Sequence, residues 1–316
     1  MKLQTQIPLQ RQQHNQIDYN SKIVLLGSCF SENIGEKFNY FKFQACINPF
    51  GILFHPLAIE NLITRSINKE YYTEEDLYSH NEQWCCLDVH SKLNKTSKEE
   101  LLKVINTQID ATHQELINAS HVVITLGTSW VYRHVATDSI VANCHKLPQK
   151  QFLKELLSLE QIIESLDAIV SLVKSINPKV AFLFTVSPVR HTKDGFVENT
   201  QSKAHLIAAI HNVVDPRKHL YYFPSYEIMI DELRDYRFYT ADMLHPNNVA
   251  IDYIWENFKT VWLTEEGLKT SEIVASIQAK NAHRPFNATS QAHQEFLLKL
   301  QSEIDVLCTK YSHISF

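Results

Sequence analysis

The stretch KIVLLGSCFSENIGEKF (22–38) runs from a continuous apolar segment through Gly27 into small polar residues and then into an amphipathic helical pattern. An apolar, β-branched run of this length reads as a strand covered on both faces. The chain has only 6 glycines in 316 residues, so one placed between strand and helix marks a sharp turn. Ser28 follows it. At the first turn of a helix a serine hydroxyl caps free backbone N–H groups. The same position, beside those N–H groups and the positive helix end, also suits a nucleophile.

The pattern continues along the chain. Further strands are expected at FKFQACIN (41–48), HVVITLG (121–127), KVAFLFTVS (179–187) and HLYYFPS (219–225). Helical segments fall near 31–39, 56–67, 98–118, 151–176 and 200–214, and PNNVAIDYIWENFKTVW (246–262) opens with a proline suited to a first turn. Strands alternating with helices imply a parallel sheet with helices on both faces. The expected fold is therefore α/β: a three-layer α/β/α sandwich with a central parallel sheet, plus a C-terminal helical extension. Residues 69–97 carry no clean period and are expected as an irregular excursion within a domain spanning 1–264. Residues 265–316 read as two helices broken near Arg284–Pro285, a hairpin that covers the core or another subunit.

Hydrophobic residues make up 44% and charged residues 21%, ordinary for a globular protein. A net charge of −5 argues against a nucleic-acid or anionic-membrane partner. No apolar run approaches the ~20 residues of a membrane span, and the opening MKLQTQIPLQRQQHNQIDY has no signal-peptide core. The six cysteines show neither CxxC nor a disulfide-framework spacing. Reduced thiols in a cytoplasmic protein are expected, with no metal and no cofactor.

Three glycines, Gly27, Gly51 and Gly127, follow the first three strands. In a doubly wound sheet, ligands sit outside the carboxyl ends of the strands. Far downstream, YTADMLHPNN (239–248) sets Asp242 three residues before His245 on a loop entering a helix. That spacing lets a carboxylate reach imidazole Nδ1–H while Nε2 stays free. A serine nucleophile needs such a base, and the base needs such an orienting group. Arg190 and His191, after the fourth expected strand, belong to the same edge. Cys29 is a rival nucleophile, and His90, Ser91 and His145 are weaker candidates for lining a pocket.

The sequence resembles the GSCFA family, a branch of the SGNH (GDSL-like) hydrolase superfamily. The likeness is carried by Gly27-Ser28-Cys29-Phe30, with Ser31 where alanine is expected, and by NPFGILFHPLAI (48–59), TLGTSWVY (125–132), VANCHKLP (141–148), SPVRHTKDG (187–195) and YFPSYEIMIDELRDYRFYTADMLHP (222–246). It implies a flavodoxin-like fold and serine-dependent ester hydrolysis, with Ser28 as nucleophile, His245 as general base and Asp242 orienting it. An oxyanion hole is implied at Ser28 and Gly51. Ser129 stands where the superfamily has asparagine, and Asn48, Asn143 or another NCHK side chain is an alternative donor. Asn48, Asn143, His145, Arg190 and His191 are the candidate substrate contacts. The preferred substrate is a carbohydrate-like ester carrying a small acyl group such as acetyl. The alternatives are a non-catalytic carbohydrate- or acyl-binding protein, and an acyltransferase using the same triad. The C-terminal helices are a candidate surface for a homo-oligomer.

Overall fold

The computed structural model describes residues 4–316. Its centre is a parallel sheet of five strands: β1 (Lys22–Gly27), β2 (Gln44–Ile47), β5 (His121–Leu126), β9 (Ala181–Val186) and β10 (Leu220–Tyr222). The spatial order is β10-β9-β5-β1-β2, every pair parallel. Counting only these five, this is the 2-1-3-4-5 order of flavodoxin-like folds, whose crevice opens where the order reverses between β1 and β5.

Alternation along each strand divides the core. Val24, Leu26, Val122, Ile124, Phe182 and Phe184 face one side, packed under α2 (Pro56–Asn68), α3 (Lys98–Asn118), α4 (Leu159–Ile176) and α5 (Phe196–Val213). Ile23, Leu25, Val123, Ala181 and Leu183 face the other, against α1 (Cys29–Tyr40) and α7 (Asn248–Trp262). Large rings fill this second layer: Phe38 meets Trp255 edge-on at 4.9 Å, and Trp255 stacks on Phe258 at 5.6 Å. Between β10 and α7 lies a single turn, α6 (Ser225–Glu227), that widens into a π-helical Ile228–Glu232. Glu232 in that turn is buried and accepts from the Tyr253 hydroxyl at 2.7 Å.

The C-terminal helices α8 (Glu265–Asn281) and α9 (Gln291–Lys310) break at 282–290, as expected, and they cover the core. Val274, Ile277, Leu300, Leu307, Tyr311 and Ile314 join the aromatic layer behind α1 and α7.

Three expectations are corrected. The helix expected over 151–176 begins only at Leu159, with Ser158 and Gln161 forming its capping box. Before it, β6 (Trp130–His134), β7 (Ser139–Val141) and β8 (Phe152–Leu156) form an antiparallel sheet in the order β7-β6-β8. The excursion at 69–97 holds a hairpin of β3 (Leu77–His80) and β4 (Gln83–Cys86), whose turn residues Asn81 and Glu82 both have positive φ, as a tight two-residue hairpin demands. The helix α7 starts after Pro246, with the Asn247 carbonyl oxygen of the side chain accepting from Ala250 N–H as its cap.

The turn after β1 is set by close approach. Gly27 has φ +141°, and a Cβ there would lie 2.2 Å from the Thr125 carbonyl oxygen. Gly27→Ala should therefore destabilise the protein by at least about 2 kcal/mol in urea unfolding. An unchanged midpoint would show that β1 and β5 can part at no cost.

Candidate active site

Ser28 caps α1. Its Oγ accepts from Phe30 N–H at 3.2 Å, and the residue is 1% exposed at the positive end of the helix. Ser31, which departs from the expected alanine, is buried and donates to Leu26 O at 3.3 Å, so its hydroxyl is satisfied within the turn. Cys29 beside them has its thiol pushed up by burial and by Glu32, which keeps it protonated.

The dyad on the far loop is formed. His245 Nδ1 meets Asp242 Oδ2 at 2.6 Å. Asp242 Oδ1 accepts from the Thr240 hydroxyl at 2.7 Å and from the N–H groups of Leu244 and His245 at 2.8 and 3.0 Å. Those bonds, the Thr240 hydroxyl foremost, hold its carboxyl well below the usual carboxylate range. A carboxylate on Nδ1 assigns that nitrogen the proton and leaves Nε2 as the free base.

The loop is tied to the sheet edge, where Arg190 N–H donates to Leu244 O at 3.2 Å. From there a chain of neighbours leads back to the serine turn. His191 feels His245 and Lys203, and Lys203 acts on Cys29, one residue from Ser28. Burial foremost, then the nearby Lys203 and His245, pushes His191 down to about 3, so its imidazole is neutral, and its Nε2 has no partner. The Arg190 guanidinium lies over the Phe196 ring at 5.8 Å and lines a cavity of about 390 Å³ that Asp242 also borders. No hydrogen bond joins Ser28 to His245 among the described residues.

The implied oxyanion donors are the main correction. Ser28 N–H donates to Thr125 O at 3.0 Å, and Gly51 N–H donates to Asn48 O at 2.7 Å, so both amides are already engaged. Gly51 is required for another reason: its φ is +75°, and a Cβ would strike His90 Cβ at 2.4 Å. Ser129 is fully buried, and its amide and hydroxyl are taken by Ser202. Asn48 is the group that remains. Its Oδ1 accepts from Gly27 N–H at 2.9 Å, which fixes it beside the serine turn, and its buried Nδ2 has no partner. Asn143 and His145 make no hydrogen bond to these residues; they line a cavity against the β6–β8 sheet. His90 caps a short turn by accepting from Lys92 N–H, and Ser91 lies on that turn.

Sequence reasoning missed Lys203. It is 1% exposed, and its ammonium donates to Gly127 O and Ser187 O, both at 2.7 Å. It thus joins the chain just past the ends of β5 and β9. Burial pushes it down to about 7, opposed by Cys29. The signal was a lone lysine in an otherwise mild stretch, NTQSKAHLIAAI (199–210), with nothing local to mark it as buried.

A flavodoxin-like α/β protein with a helix-capping serine and an Asp–His dyad at the carboxyl edge of its sheet is the class these observations define. The chain belongs to the GSCFA family, whose model matches residues 22–258. The GSCFA domain protein C-terminal domain matches residues 274–316, the end of α8 together with α9. Comparison with curated proteins finds no match.

The Lys203 burial has a measurable sign. With its folded value near 7 and its ordinary value at 10.5, the cost of burying the cation is fully felt below about pH 7 and is relieved as pH rises toward 10.5. The unfolding free energy of wild type minus that of Lys203→Met should therefore grow between about pH 7 and about pH 9.5, by up to ~1.4 kcal/mol per pH unit. A flat difference would mean that the ammonium keeps its solvation.

Proposed function

We propose that this chain is a serine-dependent carboxylester hydrolase of the SGNH type, removing a small acyl group such as acetyl from a carbohydrate-like substrate. The observation that carries the reading is the 2.6 Å Asp242–His245 contact on a loop tied to the sheet edge at which Ser28 caps α1. In this scheme His245 Nε2 takes the Ser28 proton as Oγ attacks the acyl carbonyl. Asp242 stabilises the imidazolium that results. His245 returns the proton to the leaving sugar oxygen, and the acyl group remains as an ester on Ser28. A water then gives its proton to His245 and attacks this ester, releasing the carboxylic acid and restoring the serine. Asn48 Nδ2, free and buried beside the turn, is the donor best placed for the oxyanion, backed by the positive end of α1. The contact between serine and base is one that tightens in a substrate complex rather than in the free enzyme.

A second reading, a binding protein that keeps the fold without turnover, is favoured by one observation: the Ser28 and Gly51 amides are both held by backbone carbonyls. Acyl transfer to a sugar hydroxyl in place of water would use the same residues. We also read the protein as cytoplasmic, since its six cysteines are free; no helix among the described residues is long and apolar enough to cross a membrane.

Treatment with a fluorophosphonate probe, followed by peptide mapping, separates the readings. Single labelling at Ser28, lost in His245→Ala, is expected, whereas a folded but unlabelled protein would overturn the hydrolase reading in favour of the binding one. On an acetylated sugar, Asn48→Ala should lower kcat by about 10²–10³, the usual cost of one oxyanion donor. Cys29→Ala should leave the rate within a few-fold; loss of turnover there would reassign the nucleophile.

A further inference from the structure

We propose that two adjoining cavities, one against the β6–β8 sheet and one against the β3–β4 hairpin, bind an anionic oligosaccharide carrying carboxylate groups on its rings. One cavity, about 380 Å³, takes its walls from Phe54, Trp130, Tyr132 and the segment 141–147. The other, about 370 Å³, is lined by Asn81, Gln83, Asn94 and neighbours, and the two share Asn143, His145 and Lys146. Aromatic surface on one side and side-chain amides on the other are what a ring with apolar faces and hydroxyl edges requires.

The charge of this groove runs against that of the chain. The protein carries net −5, yet neither cavity is lined by any aspartate or glutamate. Lys146 and Lys193 line the larger cavity, and neither has an ion-pair partner among the described residues. Lys193 acts on the thiol of Cys144 in the cavity wall, which places its charge toward that wall. Asp194, whose charge reaches Tyr132, is paired with Lys154 at 2.7 Å and does not oppose them. His145 adds an acceptor. Its Nε2 lies 2.8 Å from Cys86 O and 3.0 Å from Val89 O, contacts that require the proton on that nitrogen, and its Nδ1 has no partner. An unpartnered acceptor in a wall that Lys146 and Lys193 also line fits a hydroxylated anion.

The groove also reaches the proposed site. Leu53 N–H donates to Gly27 O at 3.1 Å, and the next residue, Phe54, accepts from Gly127 N–H at 2.7 Å while lining the larger cavity. The cavity wall therefore begins one residue from the contact that holds the Ser28 turn. That the bound sugar is the substrate rests on the hydrolase reading; that it binds does not.

Calorimetry on full-length Ser28→Ala, which cannot turn over, tests the binding by itself. The probes are trigalacturonate, neutral maltotriose and citrate. Trigalacturonate should bind, more weakly as salt is added, and at least tenfold tighter than either of the others. Replacing both exposed lysines, Lys146→Gln with Lys193→Gln, should weaken it by about three- to thirtyfold with unchanged circular dichroism. Equal binding of maltotriose would remove the charge from the proposal, and equal binding of citrate would remove the sugar. No binding, or no effect of the two substitutions, would overturn it outright. Fluorophosphonate labelling of wild-type Ser28 without trigalacturonate binding would sink this assignment alone, and binding without labelling would sink the hydrolase reading alone.

Discussion

Between Gly27 and the carbonyl of Thr125 there is no room for a side chain. The contact forces β1 to end against β5 with φ in a region that other residues avoid, and the chain leaves it already turned into α1. The serine cap, the position of Asn48 and the helix end follow from this turn. Asn48 itself has positive φ, so that its side chain reaches back to the Gly27 N–H. A doubly wound sheet opens at its point of reversal in any case; here the opening is narrowed to a turn that leaves one hydroxyl, one amide side chain and one helix end together.

The parts of the molecule that could be read from the sequence are those whose causes are local. Continuous apolar runs gave the five parallel strands, and the Asp242–His245 spacing gave a contact formed within a single loop. What could not be read depends on partners distant in the chain. Ser129 was expected at an oxyanion, but Ser202, 73 residues away, consumes its hydrogen-bonding groups. The β6–β8 sheet was hidden because FLKEL (152–156) is built from good helix formers and becomes a strand only through pairing with β6. Nothing near Lys203 in the sequence marks it as buried, because the carbonyls of Gly127 and Ser187 that hold it belong to other elements.

A buried lysine and a buried neutral histidine with an unpaired nitrogen, together at one edge of an acidic protein, are a costly arrangement. Lys203 and His191 lie within each other's field in a desolvated space, and both have their proton affinities lowered by it. Such clusters persist where the surrounding structure over-determines them, and they concentrate at functional sites more often than in passive cores. Two carbonyl bonds on one ammonium provide that over-determination here, since losing either would leave a buried acceptor unsatisfied.

The packing of α8 and α9 behind α1 carries a consequence for synthesis. Tyr19, near the first strand, stacks on Phe43 and touches Tyr311, so the aromatic layer joins segments almost three hundred residues apart. On the ribosome, the strands and the helices of the opposite face emerge with their partners close behind them. The layer that supports the serine helix does not. The cover over its rings is complete only once residues 300–314 have emerged, so this is the face of the core that closes last during synthesis.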